Sequence, residues 1–309
     1  MNLSHNLTIV FGGILGLLVL ATAVDWVLRK RTGAQPNELT RRIRSWWVMA
    51  FIFALALVVD RRISLLFFAA LSFVALKEYL SLIPTRRADR RILFWIYLSI
   101  PFQYLWIYQS WYGMFIIFIP VYMFLFVPIR MVLAGEPKGF LKAAGTLHWG
   151  LMTTVFSLSH AAGLLVLPEA VNSPAGAAGV LLFLVVLTQL NDVAQFIWGK
   201  ALGKRKVVPT VSPNKTLEGL VGGVATTSLL AFLAGPLLTP FSRPEAAVVG
   251  LVLGLLGFFG DVSISALKRD LGIKDSGGAI PGHGGVLDRV DSLTYTAPIF
   301  FHYLRYFHS

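Results

Sequence analysis

Apolar runs that approach or exceed the ~20 residues needed to cross a bilayer as a helix recur along the whole chain. Of the 309 residues, 56% are hydrophobic and only 14% are charged. A soluble globular domain carries about 25% charged residues, so this composition is typical of a different class. The sequence therefore predicts an all-α fold, that of a polytopic integral membrane protein.

The apolar runs predict about ten transmembrane helices, of which the second is short and the last is weakly apolar. Their expected positions are 7–28, 46–59, 63–83, 92–109, 111–133, 146–168, 176–198, 217–238, 246–266 and 292–308. The chain has no cysteine, which excludes disulfides, thiolate metal sites and cysteine nucleophiles.

Charge predicts the orientation of these helices. With the N-terminus outside, most of the 27 Lys and Arg residues fall in inside segments, as expected for cytoplasmic loops. The net charge of +12 then reflects topology and contact with anionic membrane lipid, and we expect no nucleic-acid partner. The basic run Lys204, Arg205 and Lys206 is assigned to that lipid contact. We expect a multi-pass protein of the cell inner (plasma) membrane with its functional face in the cytoplasm.

The chain divides into three regions. Residues 1–45 hold an extra N-terminal transmembrane helix and a basic linker, 46–170 the N-terminal transmembrane helices, and 171–309 a catalytic transmembrane region with cytoplasmic loops 199–216 and 267–291. The Ala-Thr-Ala sequence at 21–23 resembles a signal-peptidase site. However, no cation precedes the first apolar run and Arg29, Lys30 and Arg31 follow it, so we interpret it as an uncleaved anchor.

Polar residues concentrate in two segments of the third region, 191–219 and 260–291. In the ten-helix topology, Asp192 and Asp261 lie at similar depth near the cytoplasmic ends of two helices. Carboxylates inside a membrane are costly and indicate function by default. Asp261, Ser265 and Lys268 follow helical spacing and share one face. The two helices are therefore expected to line a common polar crevice that faces the cytoplasm.

Acids, cations and glycines together indicate phosphate chemistry. Carboxylates on several helices suit Mg²⁺, which prefers oxygen ligands and shares them with substrate phosphates. Nearby Lys and Arg suit a polyphosphate, and a glycine-rich backbone can direct N–H groups at its oxygens. Phosphoryl or nucleotidyl transfer needs these parts, because it depends mainly on positioning and charge neutralisation.

Some of these residues also have structural interpretations. Lys77 and Glu78, adjacent in the third span, are interpreted as a structural ion pair. Asp291 with Ser292 is a candidate cap for the last helix. His283 alone is more often a loop histidine than a metal ligand.

The loop motifs resemble a known enzyme family. The most specific run is Ser265-x-Leu267-Lys268-Arg269, then Lys274-Asp275, then Pro281-x-His283-Gly284-Gly285-x-x-Asp288-Arg289-x-Asp291. Two further runs are Ser212-Pro213-Asn214-Lys215-Thr216-x-Glu218-Gly219 and Asp192-x₆-Gly199-Lys200. Together they resemble the phosphatidate cytidylyltransferases, the CDP-diacylglycerol synthases, over about residues 188–298. Gln195 and Phe196 depart from the Ala-Tyr common in that family, and with the extra first helix they suggest a divergent bacterial-type subgroup.

The resemblance implies that CTP and phosphatidate react to give CDP-diacylglycerol and pyrophosphate in phospholipid biosynthesis. It implies Mg²⁺ held by Asp261 and Asp288, with Asp192 as a third acid and room for a second cation. Lys215, Lys268 and Arg269 are expected to contact the triphosphate or phosphatidate. The expected substrate-binding residues are Asp192, Ser212, Asn214, Lys274, Asp275, His283, Gly284, Gly285 and Arg289.

Alternatives remain open at this point. A sibling enzyme of the same fold would activate a different lipid phosphate, and sequence does not distinguish the two. A transporter would be expected to show broken helices in paired halves and a polar path across the membrane. A homodimer is left open, as is a catalytically silent scaffold, although the intact acids and lysines argue against the latter.

Overall fold

Helices make up nearly all of the computed structural model, which describes residues 5–32, 35, 38–277 and 284–308. Within these ranges the β-type pairing consists of an isolated antiparallel bridge between Lys206 and Thr216. The α-helices are α1 (His5–Thr32), α2 (Glu38–Val59), α3 (Arg61–Leu82), α4 (Arg90–Tyr108), α5 (Tyr112–Ile117), α6 (Phe124–Val132), α7 (Phe140–Leu151), α8 (Leu158–Gly163), α9 (Pro168–Val171), α10 (Gly176–Leu202), α11 (Leu217–Leu238), α12 (Arg243–Asp270) and α13 (Leu287–Phe307). The prediction of an all-α fold is confirmed.

Two π-helical segments join shorter helices into longer rods. Phe118–Met123 links α5 to α6, and Met152–Ser157 links α7 to α8. Pro120 lies in the first segment, where its missing N–H interrupts the regular α-helical hydrogen bonds. These rods correspond to the predicted spans 111–133 and 146–168.

Six helices in the described residues are long and apolar enough to cross a membrane. They are His5–Arg31, Arg61–Leu82, Tyr112–Val132, Gly176–Leu202, Leu217–Leu238 and Arg243–Asp270. The other predicted spans are also helical, in α2, α4, α7 with α8, and α13. The apolar helices support a membrane protein, while the count of ten spans remains a prediction.

Helix starts in the C-terminal region follow from local side chains. Thr216 precedes α11, and its Oγ1 accepts a hydrogen bond from Gly219 N at 3.1 Å. Ser242 and Glu245 form a capping box at the start of α12. Each cap satisfies backbone N–H groups that have no acceptor within the helix. The polar loop before α11 therefore ends at a defined residue.

The helices α10 to α13 pack in chain order, each against the next. Small residues allow close approach: a side chain at Gly223 would meet Gln195, and one at Gly260 would meet the backbone of Asp291. Asn191 crosslinks this bundle, because its Nδ2 donates to Gly254 O at 3.1 Å and its Oδ1 accepts from Thr227 Oγ1 at 3.1 Å. This packing brings the acids of three helices to one place.

The helix α3 joins the N-terminal helices to this bundle, since it packs against α7, α8 and α13. Tyr79 fixes its rotation: the hydroxyl donates to Thr146 O at 2.7 Å, and the buried ring lies against Gly150. A side chain at 150 would collide with that ring. The residues next to Tyr79 on α3 are thereby held in fixed directions.

The linker predicted for residues 30–45 is shorter in the structure, because α1 extends to Thr32 and α2 begins at Glu38. Polar contacts stabilise these ends. Buried Asp25 accepts hydrogen bonds from Arg29 Nε at 2.9 Å and Thr40 Oγ1 at 3.0 Å. The polar residues thus extend two helices into the segment that was expected to be a linker.

Candidate active site

Loops from separate regions of the chain meet at one end of the bundle, here called the loop face. It is formed by residues 83–89, 133–139, 203–216, 271–277 and 284–286. Arg86 joins the first two loops by donating to the carbonyls of Glu136 and Lys138. Arg269 joins the next two, since its Nε donates to Val211 O at 3.1 Å. The predicted site residues that the structure describes lie at or just below this face.

Lys215 and Asp261 form an ion pair below the loop face, with 2.5 Å between Nζ and Oδ2. Lys215 Nζ also donates to Gln195 Oε1 at 3.2 Å, and Ser265 Oγ donates to Asp261 Oδ1 at 3.3 Å. The Lys215 ammonium lies 5.7 Å from the ring centroid of Phe258, a further favourable contact. The predicted shared face of Asp261 and Ser265 is confirmed.

Lys215 remains charged despite its partial burial. Burial alone would lower the pKa of Lys215, but the charges of Asp261 and Asp192 outweigh it, so the pKa is raised above the ordinary lysine value. The side chain is a permanent cation at neutral pH. It lies where it can neutralise acids or phosphates.

Three carboxylates influence one another at this position: Asp192 of α10, Asp261 of α12 and Asp291 of α13. Ser292 Oγ donates to Asp192 Oδ2 at 2.9 Å and to Gly257 O at 3.0 Å. Among the described residues, Asp192 Oδ1 is buried and has no hydrogen-bond partner. We call Asp192, Asp261 and Asp291 the acid cluster. It brings three carboxyl groups to one place, and Lys215 pairs directly with one of them, Asp261.

Lys268 and Asp288 form a second ion pair, with 2.6 Å between Nζ and Oδ1. Asp288 Oδ2 accepts from Ser276 N at 2.9 Å, Ser276 Oγ at 2.9 Å and Gly285 N at 3.1 Å. Burial would raise the pKa of Asp288, but Lys268 and these donors together hold the pKa below the usual aspartate value. Asp288 thus organises the loop between α12 and α13.

Gly284 and Gly285 lie in close contact with two carboxylates near the start of α13, those of Asp288 and of Glu78 from α3. Gly284 has a φ of +78°, and a Cβ there would lie 2.7 Å from Asp288 Oδ2. A Cβ at 285 would collide with Ser276 Oγ and with a carboxylate oxygen of Glu78. Gly284 is therefore required for its left-handed backbone and for space, and Gly285 is required for space.

The remaining predicted site residues differ in exposure. Lys274, Asp275, Asn214 and Arg269 are exposed, and Ser212 is half-buried. Arg269 contacts backbone carbonyls of both neighbouring loops in this structure. The buried Nε of Arg289 has no partner among the described residues. His283 lies outside the described residues.

Two structural interpretations made from sequence are wrong. Glu78 forms no ion pair with exposed Lys77; its carboxylate accepts Val286 N at 2.9 Å and Leu287 N at 2.8 Å. Asp291 does not cap α13, because that helix begins at Leu287 and Asp291 lies inside it. The second error arose because the start of α13 was placed too late in the chain, and the first because the partners of Glu78 are distant in sequence.

Glu78 and Asp291 are therefore site-adjacent acids that the sequence reasoning missed or assigned to another role. The position of Glu78 inside an apolar run was a usable signal, since a membrane-embedded carboxylate indicates function by default. Its partners, two backbone amides more than 200 residues later in the chain, carry no sequence pattern of their own.

The acid cluster has the donor chemistry expected of a Mg²⁺ site. Mg²⁺ is commonly held by one or two carboxylates together with substrate phosphates. Within the described part of the chain, no three His, Asp or Glu side chains are arranged to hold a metal by themselves. Asp261 and Asp192, with its buried unpartnered oxygen, fit a site that the substrate completes. Asp288 fits less well, because Oδ2 already accepts three hydrogen bonds.

Relatives of this chain fall into two groups. The uncharacterized protein YnbB of Escherichia coli (strain K12) is 48% identical over 297 residues, covering 95% of this chain and 96% of YnbB. A phosphatidate cytidylyltransferase of Staphylococcus aureus (strain COL) is 40% identical over 121 residues, covering 38% of this chain and 46% of that enzyme. One from Synechocystis is 42% identical over 114 residues, covering 37% of this chain and 39% of that enzyme.

The chain thus spans less than half of the length of these two named enzymes. The similarity to YnbB extends over nearly the whole chain, but the name of that protein states no activity. The sequence profile of the Cytidylyltransferase family matches residues 40–307, which include the complete acid cluster and both ion pairs. This chain therefore belongs to the cytidylyltransferase family.

Proposed function

We propose that this protein is a phosphatidate cytidylyltransferase, which converts CTP and phosphatidate to CDP-diacylglycerol and pyrophosphate. The observation that carries the proposal is the acid cluster, with Lys215 beside it, at the loop face of a cytidylyltransferase-family protein. The names of the partly matching relatives support phosphatidate as the acceptor.

The reaction needs little proton transfer. A phosphate monoester is anionic at neutral pH, so one of its oxygens can attack the α-phosphorus of CTP directly. A P–O bond forms between that oxygen and the α-phosphorus. The bond between the α-phosphorus and the bridging oxygen to the β-phosphate breaks, and its electron pair leaves with pyrophosphate. The main barrier is repulsion between anions, which cations must offset.

We assign Mg²⁺ to Asp261 and Asp192 of the acid cluster, where it would neutralise phosphate charge when bound. Asp288 is retained as a ligand through Oδ1, whose partner among the described residues is Lys268. Asp291 is a third carboxyl group within electrostatic reach of Asp192 and Asp261. This excess of acids is the reason for proposing a second cation.

Lys215 and Lys268 are assigned to the phosphates of the substrates. Each ammonium neutralises one carboxylate here, so each can turn to a phosphate oxygen once that carboxylate is neutralised otherwise. Charge-assisted contacts of this kind are about twice as strong as neutral hydrogen bonds. Arg269 is assigned to the same task at the loop face.

The loops are assigned to substrate binding. Glycine backbone near the start of α13 can direct N–H groups at phosphate oxygens, as anion sites at helix N-termini do. The proposed contacts come from Asp192, Ser212, Asn214, Lys274, Asp275, His283, Gly284, Gly285 and Arg289.

The membrane setting completes the proposal. We place the protein in the inner membrane with about ten spans and with the loop face, its polar crevice, in the cytoplasm, where CTP is present. Exposed Lys204, Arg205 and Lys206 lie on that face, where they can attract anionic lipid. A homodimer is compatible with the exposed apolar helices.

Purified protein should be assayed with Mg²⁺, a panel of nucleoside triphosphates and a panel of lipid phosphates. We expect CTP and phosphatidate to give the highest kcat/KM. Preference for another lipid phosphate would identify the sibling enzyme. No turnover with any pair would contradict cytidylyl transfer altogether.

A further inference from the structure

The carboxylate of Glu78 lies against the loop that carries Asp288, although Glu78 belongs to α3 in the N-terminal region. Its Oε1 accepts Val286 N at 2.9 Å, and its Oε2 accepts Leu287 N at 2.8 Å and Ser276 Oγ at 3.3 Å. These partners come from both described sides of the loop between α12 and α13.

Ser276 connects Glu78 to Asp288, because its hydroxyl lies within hydrogen-bond distance of both carboxylates, at 3.3 and 2.9 Å. Asp288 in turn holds Lys268 at 2.6 Å. A short chain of contacts therefore leads from a membrane helix to a proposed phosphate ligand. Displacement of Glu78 would remove the acceptor of the Val286 and Leu287 amides. It would also free the Ser276 hydroxyl that donates to Asp288.

The packing around Glu78 is independent evidence for a built arrangement. A side chain at Gly285 would collide with Oε2 of Glu78, and one at Gly277 would lie 3.3 Å from Oε1. The neighbouring residue Tyr79 is buried against Gly150 and bonded to Thr146 O, so α3 cannot rotate freely. The described ends of this loop are thus packed around a carboxylate whose direction the N-terminal helices fix.

We propose that Glu78 is a positioning residue for cytidylyl transfer. It holds the start of α13 and, through Ser276, sets Asp288 and Lys268 in the geometry that phosphate binding needs. It touches neither substrate nor metal. The inference rests on the proposed function only for its effect on catalysis, since its effect on the loop is measurable without substrates.

The test compares Glu78→Gln with the wild type in two measurements. Gln keeps one acceptor oxygen and replaces the other with an NH₂ group that cannot accept Val286 or Leu287. Hydrogen–deuterium exchange of the peptide around 284–290 should accelerate at least tenfold. The kcat/KM for CTP should fall about 10- to 100-fold, as for residues that orient ligands, while the KM for phosphatidate changes less than about twofold.

Two variants serve as matched controls. Glu136→Gln makes the same change at an exposed carboxylate that accepts a backbone amide, Lys138 N, at 3.1 Å. Lys77→Gln alters the exposed neighbour of Glu78. Both should keep wild-type exchange around 284–290 and wild-type kinetics. Glu78→Asp, which keeps the charge on a shorter side chain, should recover part of the lost activity.

The outcomes separate this inference from the proposed function. Accelerated exchange with lost CTP turnover supports the positioning role, whereas unchanged exchange, or accelerated exchange with full activity, overturns it. If the wild type itself transfers no cytidylyl group, the proposed function fails. Hydrogen–deuterium exchange around 284–290 then still tests whether Glu78 holds the start of α13. If Glu78→Gln does not fold, Ser276→Ala, which removes only the connecting hydroxyl, must reproduce the selective loss for CTP or the proposal is wrong.

Discussion

The two ion pairs below the loop face use the same chemistry in different surroundings. The Asp261 side chain is 22% exposed and lies among other carboxylates, while that of Asp288 is 5% exposed and its Oδ2 is fully occupied by hydrogen bonds. Asp261 can exchange its partner for a metal or substrate at little cost. Asp288 can exchange its partner only at Oδ1, because its Oδ2 holds the loop through three hydrogen bonds. The first pair is therefore expected to matter for the chemistry alone, whereas the second also maintains the geometry of the loop.

The largest effect is expected at the first pair. Asp261→Asn keeps the shape but removes the charge that the proposed Mg²⁺ requires, so turnover should fall about 100- to 1,000-fold, the loss typical of one charge-stabilising group. Thermal unfolding in detergent should change less than for a fully buried pair, because Lys215 keeps Asp192 and Gln195 as neighbours.

Asp270→Asn is the matched control, since Asp270 is exposed at the end of the same helix. It should behave as the wild type does. Near-normal turnover of Asp261→Asn would remove Asp261 from the metal site.

The second pair should show the opposite balance. Asp288→Asn leaves the partly buried ammonium of Lys268 without its counter-charge, and breaking a fully buried pair costs about 3–5 kcal/mol, which is an upper bound here. The Tm should therefore drop clearly more than for Asp261→Asn, and activity should fall with it. Lys268→Met in the Asp288→Asn background should recover part of the Tm but none of the activity. Equal Tm values for the two Asn variants would mean that the two pairs do not differ as described.

Much of this site could be predicted from the sequence, and the reasons are local. Asp261 and Ser265 follow helical spacing, so their shared face could be inferred without coordinates. The pairing of Lys268 with Asp288 could not, because it depends on how a loop of about 16 residues returns to the bundle. Sequence spacing predicts a helix boundary poorly when the capping side chain is distant in sequence, as Glu78 is from the start of α13.

The fold shows the same division. Hydropathy identified the long apolar helices, whereas the extension of α2 to Glu38 depends on the contact between Thr40 and Asp25 of α1. From sequence alone such a polar segment is expected to be a linker, because the residue that it contacts on another helix is not known. Contacts between helices, rather than composition, determine where such segments become ordered.

A moderate effect should separate the lysines at the site from those on the surface. Lys215→Ala should lower kcat/KM for CTP about 10- to 100-fold, because a charge-assisted contact is lost in a partly buried position. Neutralising Lys204, Arg205 and Lys206 together should weaken apparent lipid affinity modestly and reduce its salt dependence, at about 1 kcal/mol per charge near an anionic surface. Greater damage from the triple change would place the site nearer to residues 200–206 than described here.

The smallest effect concerns pH. The pKa of Asp288 is lowered in the folded protein, so its pairing stabilises the fold above the unfolded aspartate value of about 3.9 and is lost only as pH falls through the lower folded value. The Tm difference between wild type and Asp288→Asn should therefore stay constant from pH 5 to 8. A difference that shrinks within this range would show that Asp288 is not held ionised by Lys268 and the loop amides.

The most direct test of the account follows the label from CTP into lipid. Purified protein with Mg²⁺ and phosphatidate should transfer label from the α-phosphate of CTP to the lipid and release label from the γ-phosphate as pyrophosphate, and Asp261→Asn should slow both about 100- to 1,000-fold. Label from the γ-phosphate appearing in the lipid would show a kinase. Transfer from the α-phosphate that persists at a near-wild-type rate in Asp261→Asn would contradict the acid cluster as the site of reaction.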